Sequence, residues 1–168
     1  MTGAVQLCPP SRWGVSRDGW AGAIARAEPH HAPTCAAILN GWIDATLWMP
    51  RIHTPEAVED HVREVVFAMR RVWVALDDDA PVGFLALDIE GTITALYVAE
   101  HARGMGVGRA LLDEAKREEP RGLELWTFEP NTEARAFYAR EGFRESGRSN
   151  GDNEEGVPDV LLRWEGAP

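Results

Sequence analysis

The sequence predicts a single α+β domain, with a mixed, mostly antiparallel central sheet and flanking helices. Two observations carry this. Three short strand-like runs, residues 72–76, 82–89 and 92–98, follow one another through tight links at 77–81 and Glu90-Gly91, the pattern of an antiparallel meander. A glycine-rich turn then opens a helix that crosses to a further strand at 123–128, and a helical crossover sets that strand parallel to the one before it. With 168 residues, 45% of them hydrophobic, the chain suits one core that stands without metals or disulfides.

The remaining elements follow in order. Residues 22–27 form a short first strand. Cys35, Ile38, Leu39, Trp42 and Ile43 recur at helical spacing and predict a helix over 32–45. Met49-Pro50 breaks the chain. Thr54-Pro55-Glu56 starts a second helix with a hydroxyl cap, proline in the first turn and an acid near the positive end of the dipole. Val58, Val62, Val65, Val66 and Met69 form its expected buried stripe. Val107, Leu111, Leu112 and Ala115 mark the helix after the glycine turn, ended by Pro120-Arg121-Gly122. A last helix spans 131–141, closed by Gly142. Strands at 143–147 and 160–164 flank a turn-rich loop, 149–158. Residues 1–20 show no periodicity and read as an N-terminal arm, poorly ordered or packed on the surface by Trp13 and Trp20, ahead of a domain at 21–168.

The 17 Lys and Arg against 27 Asp and Glu give a formal charge of −10. That disfavours a general phosphate-backbone binder without forbidding a local basic pocket, so no nucleic-acid partner is expected, and it suits a cationic or amine-bearing one. Cys8 and Cys35 form no Cys-x-x-Cys and read as reduced thiols of a cytoplasmic protein. No signal-peptide pattern and no run of 18 apolar residues occurs, so no membrane partner is expected. His30, His31, His53, His61 and His101 make no His-x-x-x-His face, and no metal is expected. Trp42, Trp73, Trp126 and Trp164 lie on predicted helices or strands, where core packing is the default.

The sharpest feature is Arg103-Gly104-Met105-Gly106-Val107-Gly108-Arg109 between strand and helix. Glycines let the backbone close on a ligand, free N–H groups at a helix start attract phosphate, and the two arginines add charge-assisted hydrogen bonds. The turn is no P-loop, since the only lysine of the chain is Lys116. It is no Rossmann fingerprint either, whose last glycine would fall on Arg109 or Leu111.

Arg103, Gly106 and Gly108 in Arg-x-x-Gly-x-Gly resemble the acyl-CoA pyrophosphate loop of the GNAT acetyltransferase superfamily. Downstream, Asn131-Thr132-Glu133-Ala134-Arg135-Ala136-Phe137-Tyr138 followed by Gly142-Phe143 is similar to that family's Asn-x-x-Ala-x-x-Phe-Tyr-x-x-x-Gly-Phe helix. The element order fits over about 22–165, and the motifs are specific over 92–143. One departure is Glu100, where many members carry proline.

The resemblance implies that the fourth and fifth strands are parallel and splayed, with the pantetheine arm of acetyl-CoA in the gap. Leu96, Tyr97 and Val98 would hold that arm through their main chain, and a backbone N–H there would meet the developing oxyanion. The residues from Arg103 to Arg109 (Gly104, Met105, Gly106, Val107 and Gly108 between them) would hold the pyrophosphate. Tyr138 matches the tyrosine that commonly protonates the departing thiolate. Asn131 caps its helix, bonds the cofactor arm, or does both. The implied function is acetyl transfer from acetyl-CoA to a primary amine of a small molecule or peptide, without metal. A non-catalytic acyl-CoA-binding module is the alternative, and a homodimer is compatible with the family. Asp88, Glu90, Glu129 and His53 stand as candidates for the base. Asp152, Glu154, Glu155 and Asp159 in or beside the last loop would either attract an amine or simply face solvent.

Overall fold

The computed structural model describes residues 19–167. Among the described residues seven strands follow the expected order, and the second of the four expected helices is divided in two by a π-helical turn at Val62–Val66. The elements are β1 (Ala23–Arg26), α1 (Ala32–Ala45), α2 (Pro55–His61), α3 (Phe67–Met69), β2 (Arg71–Asp77), β3 (Ala80–Leu87), β4 (Ile93–Val98), α4 (Val107–Glu118), β5 (Leu123–Phe128), α5 (Thr132–Arg140), β6 (Arg144–Ser149) and β7 (Asp159–Trp164). Among the described residues no helix is long and apolar enough to cross a membrane.

The single central sheet of the sequence reading is instead two antiparallel sheets, ordered β1-β2-β3-β4 and β5-β7-β6. They meet at one parallel bridge, Thr92 with Glu124, where Glu124 N–H donates to Gly91 O at 3.3 Å. Register shifts at Ala75/Leu76 and Ala86/Leu87 bend and twist the first sheet, which carries β4 away from β5 past that bridge. The β2–β3 turn is Asp78-Asp79, with φ of 45° and 66°, the left-handed pair that a two-residue hairpin needs.

Strand alternation sorts the core into two layers. Val72, Val74, Phe84 and Ala86 face α1 and α2, meeting Ala32, Cys35, Ala36, Val58 and Val62. Trp73, Ala75, Leu85 and Leu87 face α4, meeting Val107, Leu111, Leu112 and Ala115. Each fully buried leucine contributes about 1.5–3 kcal/mol relative to exposure. The Cys35 thiol is buried here, and burial pushes its pKa up to about 12.

Two expectations are corrected. Met69 is 64% exposed, not part of the buried stripe. A π-helical turn at Val62–Val66, where Phe67 N–H bonds Val62 O, adds a residue to that turn and rotates the apolar face onto Val66 and Phe67. Trp20, placed in the arm, belongs to the core at 7% exposure. Gly22 makes this possible, since a Cβ there would lie 2.4 Å from the Trp20 ring. Trp13 and Cys8 lie outside the described residues.

Candidate active site

A cleft of about 710 Å³ opens where β4 and β5 part. Its floor includes Leu96, Tyr97 and Val98 of β4 and Trp126 to Phe128 of β5, and Trp42 of α1 also lines it. Beyond Thr92 the edges of β4 and β5 do not pair with each other. Their main-chain groups along this stretch can therefore meet a ligand.

The glycine turn lines the same cleft. Gly104 and Gly106 have φ of 72° and 88°. Gly106 occupies the N-cap of α4 with no side-chain cap, so the first-turn N–H groups of Val107, Gly108 and Arg109 have no side-chain acceptor at the positive end of the helix. Arg103 Nε donates to Val98 O at 3.1 Å, and Arg109 Nε lies 3.9 Å from Glu141 Oε1. Gly104, Gly106, Val107, Gly108, Arg103 and Arg109 all line the cleft. Met105 does not. Its side chain packs on the core, and its carbonyl accepts from the Trp20 backbone N–H at 3.3 Å.

The α5 helix supplies the opposite wall. Asn131 Oδ1 accepts from Ala134 N–H at 3.1 Å, so the cap is made, and the same residue lines the cleft. Tyr138 packs between Phe137 and Phe143, ring centroids 5.1 and 5.4 Å away, and also borders the cleft. Its hydroxyl has no hydrogen-bond partner among the described residues. Burial, reinforced by Tyr97, pushes the Tyr138 phenol above its ordinary pKa. The group therefore keeps its proton at neutral pH. Tyr97 is raised to about 12 by burial and by the charge of Glu155.

At the far end of the cleft an aromatic row runs from Phe84 through Tyr97 and Trp42 to Trp48 and Phe128, at centroid spacings of 5.4–5.8 Å. Arg51 fixes the loop that carries Trp48, bonding Asp44 Oδ1 at 2.7 Å and Asn40 Oδ1 at 3.0 Å. His53 in that loop meets Glu154 of the β6–β7 loop at 2.7 Å. Asp159 is bound by Ser149 Oγ and by Asn153 at 3.2 Å, which fixes the base of the acidic loop.

None of the four base candidates lines the cleft. Asp88 Oδ1 closes its own turn by accepting from Glu90 and Thr92 N–H, each at 2.9 Å, Glu129 pairs with Arg148 at 3.1 Å, and His53 pairs with Glu154. Sequence reasoning placed the arm beside the fifth strand but named none of its residues for the site, and it left out Arg140. Trp126 is 49% exposed rather than core. The alternation of β5, with Leu123, Leu125 and Thr127 buried, carries the signal that Trp126 faces the other way.

A fold with a bare helix start beside an opened sheet edge and a buried tyrosine defines a class. The chain belongs to the GNAT superfamily of acetyltransferases, and the Acetyltransferase (GNAT) domain profile matches residues 68–145. The peptidyl-lysine N-acetyltransferase YjaB of Salmonella typhimurium is 38% identical over 113 residues, which span 67% of this chain and 72% of that one. Its namesake from Escherichia coli is 33% identical over 141 residues, 83% of this chain and 93% of that one. The solution structure of apo YjaB from Escherichia coli superposes with a TM-score of 0.73 at 31% identity, covering 88% of this chain and all of the other. The protein is an acetyltransferase.

Proposed function

We propose that the protein is a cytoplasmic enzyme that moves the acetyl group of acetyl-CoA directly to a primary amine, with the ε-amine of a peptidyl lysine as its acceptor class. The observation that carries the reading is one cleft lined together by the uncapped start of α4, the parted edge of β4 and Tyr138. The names of the relatives support the lysine class.

Acetyl-CoA supplies an acyl group activated as a thioester. The amides of Val107, Gly108 and Arg109, with Arg103, suit a pyrophosphate. Main-chain groups of Leu96 to Val98 suit the amide-bearing arm, and an N–H there opposes the charge that develops on the acyl oxygen. Tyr138 holds a proton for the departing sulfur. A phenol with a raised pKa releases it only to a strongly basic partner, which a nascent thiolate is. Solvent at the open mouth of the cleft receives the proton that the acceptor ammonium must lose.

The test is thiol release from acetyl-CoA with a panel of lysine peptides and small amines. Peptides should react, and Tyr138→Phe should lower turnover roughly 100-fold while CoA still binds. Release of thiol with small amines alone would overturn the lysine reading. Unchanged turnover in Tyr138→Phe would overturn the role of the phenol.

A further inference from the structure

Three arginines line the cleft, and they are not equivalent. Arg103 donates to Val98 O, and Arg109 stands 3.9 Å from Glu141. Arg140, in the last turn of α5, also lines the cleft, is exposed, and has neither a hydrogen-bond nor an ion-pair partner among the described residues. An unpaired guanidinium facing a ligand space in a chain of charge −10 is a local reversal of sign.

Its neighbours fix where along the cleft it lies. Phe137, one turn earlier, sits 3.5 Å from where a Gly108 Cβ would be, and Glu141 approaches Arg109. Arg140 is therefore bracketed by residues that contact the first turn of α4. A ligand whose pyrophosphate rests on that turn and whose acyl arm follows β4 must direct its nucleotide the other way, over the start of α4 toward α5. The nucleotide of CoA carries a third phosphate, a monoester on the ribose 3′ oxygen. The turn's amides and the two arginines that flank it serve the pyrophosphate and leave that monoester unmatched.

We infer that Arg140 receives the 3′-phosphate and makes the enzyme discriminate CoA from its dephospho form; the inference rests on the acetyl-CoA reading. The guanidinium fork suits a phosphate monoester geometrically as well as by charge.

The experiment measures dissociation constants of CoA and dephospho-CoA by calorimetry on wild-type protein, Arg140→Ala and Arg140→Lys. Wild type should bind CoA roughly tenfold more tightly than dephospho-CoA. Arg140→Ala should lose that factor for CoA and change by less than twofold for dephospho-CoA, with Arg140→Lys between. A thermal melt checks the other role open to a cation near a helix C-terminus, support of the helix itself. If Arg140→Ala weakens both ligands equally, or weakens neither, the inference is overturned and the acetyl-CoA reading stands. If wild-type protein binds neither ligand, that reading falls and the inference with it.

Discussion

His53 Nε2 lies 2.7 Å from Glu154 Oε1, so two residues 101 positions apart tie the Trp48 loop to the β6–β7 loop. Both side chains are largely exposed, and such a pair adds little to global stability. Its effect is to hold the Trp48 loop against the β6–β7 loop. His53→Ala should raise the acceptor KM several-fold and leave the acetyl-CoA KM within twofold, with a melting temperature near that of the wild type. Steady-state kinetics with each substrate varied in turn check this.

The raised pKa of Tyr138 sets an expectation for the pH profile. A phenol whose pKa lies above its ordinary value stays protonated through the neutral and mildly alkaline range. Turnover should therefore show no loss from Tyr138 ionisation below about pH 10. An alkaline limb near pH 8 that vanishes in Tyr138→Phe would contradict the assignment.

The two later glycines of the turn differ in what they need. Gly106 has φ of 88°, where a side chain costs about 1–2 kcal/mol. A Cβ on Gly108 would meet Phe137 at an ordinary 3.5 Å inside α4. Gly106→Ala should thus destabilise the protein by about that amount, while Gly108→Ala should be neutral or stabilise it by about 0.5 kcal/mol. Urea unfolding of the two variants gives the comparison.

His31 is buried with its Nδ1 accepting from Glu28 N–H at 3.0 Å, and burial, with the neighbouring His30, lowers its pKa below 6.5. The folded state favours the neutral ring. Its stabilising effect is complete above pH 6.5, the unfolded value, and is lost as pH falls from there through the folded value. Unfolding experiments at pH 7 and pH 5 should show a smaller loss in His31→Gln than in the wild type.

Much of the fold is legible in the sequence because the signals are local. Leu123–Phe128 keeps its bounds, since turn residues stand on both sides of it. Asn131 announces α5 by a cap that its own side chain makes. What escaped depends on partners distant in sequence. The division into two sheets follows from register shifts set by cross-strand packing, which strand-by-strand periodicity does not report. The π-helical turn that exposes Met69 leaves the apolar spacing of its helix unbroken. At the site, the turn and Tyr138 were readable because each sits in a compact motif. Trp42, Trp126 and Arg140 join them only through tertiary placement.

Lys116 is the sole lysine of the chain. Its Nζ donates to Glu141 O at 2.8 Å and lies 5.2 Å from the centre of the Trp164 ring, and the side chain is only 19% exposed. On the proposed chemistry this makes the enzyme a poor target for itself. An acyltransferase directed at protein amines meets its own surface at every encounter between copies. This one offers a single lysine, held by its carbonyl acceptor and largely covered.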